Sequence, residues 1–320
     1  MKNFKKIFCL LLTLSLLAVF AGCGKGAGKK NIGIIQFGSH GSLNNCYDGV
    51  MKGLEENGIT EEEYNIEYVN SNFDASVSQT QANNLVNKNA AVIIAIATPS
   101  AVAAANAAAE SGVPVVYCAV TDAAVMENYE NVTGSSDIPN FEKQLEVVTA
   151  FMNKTDLKIG VLYSTEESSS PVQVENLKKA AEKYSGMEIL DSAVADINTI
   201  DTKTNELIER GAECLVNLLD NTVVGKLETN ILPITNEKKI PVFGSEIEQV
   251  KVGCAASASI EYIDVGAAAG KAAADIIGGK KASDIPVSYI TEPKNYYNSE
   301  VCKTLGLSVP SAVIAEDVAE

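Results

Sequence analysis

The strongest constraint on this chain is a short apolar strand written twice. Ile32-Gly33-Ile34-Ile35-Gln36 returns, altered, as Ile159-Gly160-Val161-Leu162-Tyr163. Each copy is rich in β-branched residues, and each runs into a small polar loop followed by a segment of helical period. A strand without polar–apolar alternation is buried on both faces, as in a parallel sheet covered by helices. Starting such a sheet twice builds an α/β protein of two doubly wound, Rossmann-like lobes with a cleft between them. The 320 residues agree with about two domains of ~150 residues each.

Turn and cap residues divide the rest into the same alternation. Leu43, Cys46, Tyr47, Val50, Met51 and Leu54 recur at helical spacing behind Ser42, and Gly58 stops that helix. Strands follow at 64–69, 91–97 and 115–119, with an edge strand at 131–134 and helices at 77–86, from Thr98 to before Gly112, and at 139–152. The second half places strands at 159–163, 188–193, 214–219 and 241–243. Its helices open at Pro171 and lie near 200–210 and 222–236. The tail adds a strand at 254–260, a helix at 264–277 and a strand at 287–291. This extra β-α-β implies that the chain returns to the first lobe and crosses back. The expected layout is 31–154 plus 252–285 for lobe 1 and 155–251 plus 286–320 for lobe 2, joined by three crossing hinge strands suited to clam-like closure.

The first residues stand apart from this fold. Lys2, Lys5 and Lys6 precede an apolar run at 7–20 that is too short to span a bilayer, and Phe20-Ala21-Gly22-Cys23 follows. Small residues ending in cysteine resemble a bacterial lipobox. That resemblance implies a signal peptide at 1–22, lipidation of Cys23, a flexible tether at 23–30, and a mature protein held outside the cytoplasm at a membrane it does not span.

Charge and cysteine content narrow the function. A net charge of −16 argues against a nucleic-acid partner, because phosphate binding needs clustered Lys and Arg. Cys46, Cys118, Cys214, Cys254 and Cys302 are widely spaced and odd in number, and His40 is the only histidine. They read as small buried hydrophobes, with neither a disulfide framework nor a metal site.

In open α/β sheets, ligands bind beyond the carboxyl ends of the strands. Those ends carry Phe37 and His40, Thr98-Pro99-Ser100, Thr121-Asp122, the stretch 163–170 with Tyr163, Glu167, Ser169 and Ser170, Asp220-Asn221-Thr222, and Ser245-Glu246. Hydroxyls and free amides at helix starts suit a carboxylate, while Asp122 and Asp220 suit an ammonium, so the set points to a zwitterion. Each residue also has a plainer role: Ser42, Thr98 and Thr222 as helix caps, Asp122 and Asp220 in Asx-turns, and Tyr163 as core cover. Enzyme readings lack support. No GxSxG elbow accompanies His40, and the glycines at 24, 26 and 28 follow no strand, so no dinucleotide cofactor is expected. Glu166-Glu167 are merely adjacent loop acids.

Several stretches together resemble the solute-binding lipoproteins of ABC importers with the type I periplasmic-binding fold, in the branch that binds tryptophan and other aromatic amino acids. They are Ile32 to Phe37 with His40 and Leu43, Ala95-Ile96-Ala97-Thr98-Pro99, Ala119-Val120-Thr121-Asp122, Gly160-Val161-Leu162-Tyr163 and Asp220-Asn221-Thr222-Val223-Val224. The resemblance implies a monomer that takes an amino acid between its lobes and hands it to an ABC permease. It also implies that Thr98, Ser100, Thr121, Asp122, Asp220 and Asn221 hold the ligand. Ser39, Ser169 and Ser245 depart from the residues usual there, which bears on the exact ligand rather than its class; binding of another amino acid, a nucleoside or a sugar, and a sensing role, stand as alternatives.

Overall fold

The computed structural model describes residues 28–290 and 292–319. The expected signal peptide, Cys23 and most of the tether lie outside the described residues. Lobe 1 begins with β1 (Lys30–Gln36), α1 (Gly41–Glu56), β2 (Tyr64–Asn70), α2 (Ala75–Asn87), β3 (Val92–Ile96), α3 (Thr98–Ala108), β4 (Val115–Cys118) and β5 (Val132–Ser136). The strands lie in the order β5-β4-β3-β1-β2, parallel from β1 through β5. Side chains alternate between faces along a strand, and here both faces are core. Ile32 and Ile34 of β1 join Val92, Ile94 and Ile96 of β3 on one side, while Ile35, Ile93 and Ala95 pack on the other. This two-sided burial is why β1 reads as unbroken apolar sequence.

The chain then crosses into lobe 2 through α4 (Phe141–Met152), β6 (Lys158–Ser164), α5 (Ser169–Ala181), β7 (Glu188–Val194), α6 (Ile200–Glu209) and β8 (Cys214–Val216). Next come α7 (Asn221–Val224), a π-helical turn at Leu227–Ile231, α8 (Leu232–Glu237), β9 (Val242–Phe243), α9 (Ile247–Val252) and β10 (Ala256–Ser259). The order is β7-β6-β8-β9, all parallel, and a Gly244–Ser257 bridge carries it on to β10. The helix expected at 222–236 is therefore broken into three pieces.

The tail does return. α10 (Tyr262–Ile277) packs on α1, and β11 (Ser288–Tyr289) adds to the sheet of lobe 1 beside β5. β5 is therefore not the edge strand that its short sequence suggests. The chain crosses once more to β12 (Lys294–Tyr297), α11 (Ser299–Leu305) and β13 (Glu316–Asp317). β12 runs antiparallel to β10 and parallel to β13.

Pairing and packing move the expected lobe boundaries at 154, 251 and 285. α4 points Phe141, Leu145, Val148 and Phe151 into one core with Leu157, Ile159 and Val161, so it belongs to lobe 2. β10 also belongs there through its ladder with β12, whereas β11 belongs to lobe 1. The crossings are short irregular connections after β5, β10 and β11 rather than hinge strands. All five described cysteines are buried and unpaired. No described helix is long and apolar enough to cross a membrane.

Candidate functional site

The carboxyl ends of β1 and β4 and the start of α10 supply one wall of the cleft. After β1, Phe37 turns inward edge-on to Phe73, with ring centroids 5.8 Å apart, and His40 takes the extended N-cap position of α1. Gly41 then meets α9 of the other lobe; a Cβ there would stand 2.6 Å from Glu248 Cγ. Only the missing side chain lets the two lobes approach at this point. Ala97 and Ala119, at the ends of β3 and β4, hold positive φ of 77° and 54°. Such strained backbone in a non-glycine residue survives only where its surroundings enforce it, commonly beside a functional site.

The opposite wall is built from buried acids used as caps. Asp220, fully buried, accepts from the backbone N–H of Val223 at 2.9 Å and of Ser164 at 2.5 Å, tying α7 to the end of β6. Glu167 accepts from Asn221 Nδ2 at 2.8 Å, Thr222 N at 2.8 Å and Thr222 Oγ1 at 2.9 Å. Glu246 caps α9 by accepting from the N–H of Glu248 and Gln249 at 2.6 and 2.9 Å.

The walls touch. His40 Nε2 lies 3.1 Å from Asn221 Oδ1, and Asn45 Nδ2 donates to Glu248 Oε1 at 2.9 Å. Between the walls is a space of about 20 Å³, enough for one water-sized group in this tightly shut form. Lobe 1 lines it with His40, Ser42, Leu43, Thr121, Asp137 and Tyr262, plus Ala119. Lobe 2 contributes Leu219, Asp220, Asn221, Val224, Glu246 and Gln249. An outer groove of about 200 Å³ shares His40, Val224, Glu246 and Gln249 with it, so these four form the partition between the inner space and the mouth.

The electrostatics are one-sided. Burial pushes Asp137 up to about 6, against the pull of the Tyr262 and Thr121 hydroxyls. It pushes Glu246 up to about 7, against the Glu248 and Gln249 amides and the Ser42 hydroxyl. Glu167 and Asp220 are both raised, first by burial, and Glu167 further by the Asp220 charge. Burial holds His40 down at about 4, against its bond to Asn221, so the ring is neutral at pH 7. No Lys or Arg lines the space, and the described residues hold no group of His, Cys, Asp and Glu able to bind a metal ion. A buried, acid-lined cavity of this kind favours a small cation that also has an apolar part, because Leu43, Ala119, Leu219 and Val224 supply an apolar surface beside the acids.

Of the residues singled out in the sequence, the structure brings His40, Leu43, Thr121, Asp220, Asn221 and Glu246 together at this space. Glu167 stands behind them, holding Asn221 and Thr222. The others lie elsewhere. Phe37 is core. Thr98 and Pro99 form the first turn of α3, where Ala97 rather than Thr98 occupies the cap. The Ser100 hydroxyl is 3.2 Å from that of Ser78. Asp122 caps a 3₁₀ turn through Ala124 N, Tyr163 covers the second core, and Ser169 and Ser170 are buried at the start of α5. Ser42 and Thr222 are not caps either; His40 and Asp220 hold those positions. Asp137, Gln249 and Tyr262 were missed. Asp137 follows β5 directly, and a strand expected at the sheet edge does not mark its own end as part of a crevice.

A family model for ABC transporter substrate binding proteins matches residues 31–319. The chain belongs to that family. This substrate-binding protein is 31% identical to a tyrosine-binding protein of Clostridioides difficile, over 96% of this chain and 94% of the relative. It is also 31% identical to a solved ABC domain from Streptococcus pneumonia in complex with L-Trp, with a TM-score of 0.83 over 89% of this chain and 97% of that one. A ligand-free, open structure of a substrate binding protein with adhesive properties from Clostridium difficile matches at the same 31% identity, over 90% and 99%, but with a TM-score of only 0.66. At equal identity, the present structure thus shares more of its shape with the ligand-bound relative than with the open one, in keeping with its touching lobes. The fold is the type I periplasmic-binding fold of these relatives. As an ABC substrate-binding protein, this chain works outside the cytoplasm, binds a ligand and serves a permease.

Proposed function

We propose that this protein captures a free aromatic amino acid, tyrosine or tryptophan, between its lobes and delivers it to an ABC permease, as a monomer anchored through lipid on Cys23. The observation that carries this reading is the interlobe space, which sets buried acids beside an apolar wall and contains no fixed positive charge. An amino acid with a large apolar side chain presents both complements, an ammonium and a ring. Relatives that bind tyrosine and L-Trp, each 31% identical over nearly the whole chain, point to the same ligand class.

Binding requires no chemistry. The ligand touches both walls only when the lobes are shut, so its binding energy shifts the population toward the closed form. Two of the acids that line the site, Asp220 and Glu246, are already occupied as caps, which fixes the shape of the cleft before the ligand arrives.

A single preparation tests the proposal. The full chain, extracted from membranes with detergent, refolded to strip carried ligand and returned to buffer, is screened by thermal shift and calorimetry against L-tyrosine, L-tryptophan, L-phenylalanine, nucleosides and sugars. Ligand at a hundred times its Kd should stabilise the protein by about 2.7 kcal/mol. A shift with nucleosides or sugars and none with any aromatic amino acid overturns the ligand class. Recovery of the chain only from the soluble fraction removes the anchor.

A further inference from the structure

Four carboxylates stand in or behind the cleft, and three are already engaged. Both Asp220 oxygens accept backbone N–H groups, both Glu246 oxygens accept N–H groups of α9, and both Glu167 oxygens accept from Asn221 or Thr222. Asp137 differs. Its Oδ2 accepts from the Tyr262 hydroxyl at 2.8 Å, but its Oδ1 is buried without a well-formed hydrogen bond among the described residues, the Thr121 hydroxyl only standing near enough to draw on the carboxylate, on a residue only 3% exposed that lines the interlobe space.

Two more buried atoms on residues lining that space lack a partner, His40 Nδ1 and Ser42 Oγ. Asn221 gives its amide N–H to Glu167, so its Oδ1 faces His40 and the proton of the neutral ring lies on Nε2. His40 Nδ1 is then an acceptor, like Asp137 Oδ1. An unsatisfied buried acceptor costs about 1–3 kcal/mol, more when charged, and with the Ser42 hydroxyl drawn toward Glu246 the two acceptors are short of donors. An ammonium offers three donors and a positive charge.

We infer that Asp137, and not Asp220, receives the α-ammonium of the bound amino acid through its free Oδ1, with Tyr262 fixing the carboxylate from behind. This inference rests on the amino-acid reading above. Asp137 immediately follows β5, in the connection where the chain leaves lobe 1 for α4. A ligand bound there is held at the junction of the lobes rather than on the face of one of them. Asp220 has the part of a positioning residue that joins β6 to α7.

The test compares L-tyrosine with 3-(4-hydroxyphenyl)propanoate, which lacks only the amino group, by calorimetry on the wild type and on Asp137→Asn. Wild-type affinity should fall at least a hundredfold when the amino group is removed. In Asp137→Asn the two ligands should bind within about threefold of each other, with the circular dichroism spectrum unchanged. If the variant does not fold, the crystal structure of the wild type with L-tyrosine decides instead: the ammonium nitrogen should lie at about 3 Å from Asp137 Oδ1. An ammonium seated on Glu246 or Asp220, or full discrimination kept by Asp137→Asn, overturns the inference while leaving the ligand class intact. Failure of the wild type to bind either L-tyrosine or L-tryptophan overturns the parent reading, and this one with it.

Discussion

His40 is the residue at which sequence, geometry and charge meet. As a neutral ring it makes an ordinary hydrogen bond to Asn221 across the cleft and lies parallel to Phe73, 9° between planes and 6.3 Å between centroids. Because the bond exists only in the shut form, His40→Ala should weaken closure by about 0.5–1.5 kcal/mol, or roughly two- to tenfold in affinity. Affinity differences of this kind act mainly on dissociation, so stopped-flow measurement should find faster release of L-tyrosine with little change in its association. Unchanged release would remove His40 from the closing contact. At this scale the sequence was legible wherever a residue sat at the end of a recognised strand, as His40 and Thr121 do. It failed at Thr98 and Asp122, whose positions at strand ends do not reveal that their side chains turn to local tasks. Asp137 went unread because its value comes from an unpaired oxygen, a property that no spacing records.

α1 and α10 meet along glycines. A Cβ built on Gly266 would stand 2.1 Å from the Cys46 carbonyl oxygen, and one on Gly270 would stand 2.3 Å from that of Val50; Gly49 and Gly53 face them from α1. The two helices therefore touch backbone to backbone. This contact holds α10 in lobe 1 and sets Tyr262 at the cleft, beside Ser42 and Leu43 from the start of α1. Gly266→Ala forces the helices apart and should cost about 1–3 kcal/mol, whereas Gly278→Ala, whose Cβ would meet only ordinary contacts at 3.4 Å, should be close to neutral. Denaturant unfolding of both variants checks the pair, and equal stabilities would mean that the seam yields freely. The helices and strands themselves were readable from period and punctuation, including the return of the tail. Their allegiance was not. α4 follows β5 after four residues, with nothing in the pattern to mark a change of lobe, yet its apolar stripe belongs to the other core, and β12 and α11 carry too few periodic residues to announce themselves.

In the whole molecule, these charges make closing sensitive to pH. Glu246 is raised to about 7 by burial in the shut cleft; exposed to water it titrates at ~4.3. The closed form therefore binds a proton that the open form releases, and this preference is complete at low pH and lost as pH rises through about 7. His40 acts in the opposite sense. Its closed-state value of about 4 lies below the ordinary ~6.5, so below that pH closing must expel a proton. Asp137, raised to about 6, and Glu167, raised to about 8, act in the same sense as Glu246, so closure of the empty protein weakens as pH rises from about 6.5, where His40 no longer opposes the acids, to about 8. The radius of gyration from small-angle scattering should accordingly grow across that interval in the empty protein. An ammonium in the cleft supplies the positive charge that the proton otherwise provides, so protein saturated with L-tyrosine should keep one compact radius throughout. The same radius at both pH values without ligand would show that the acids of the cleft are not what holds the empty lobes apart.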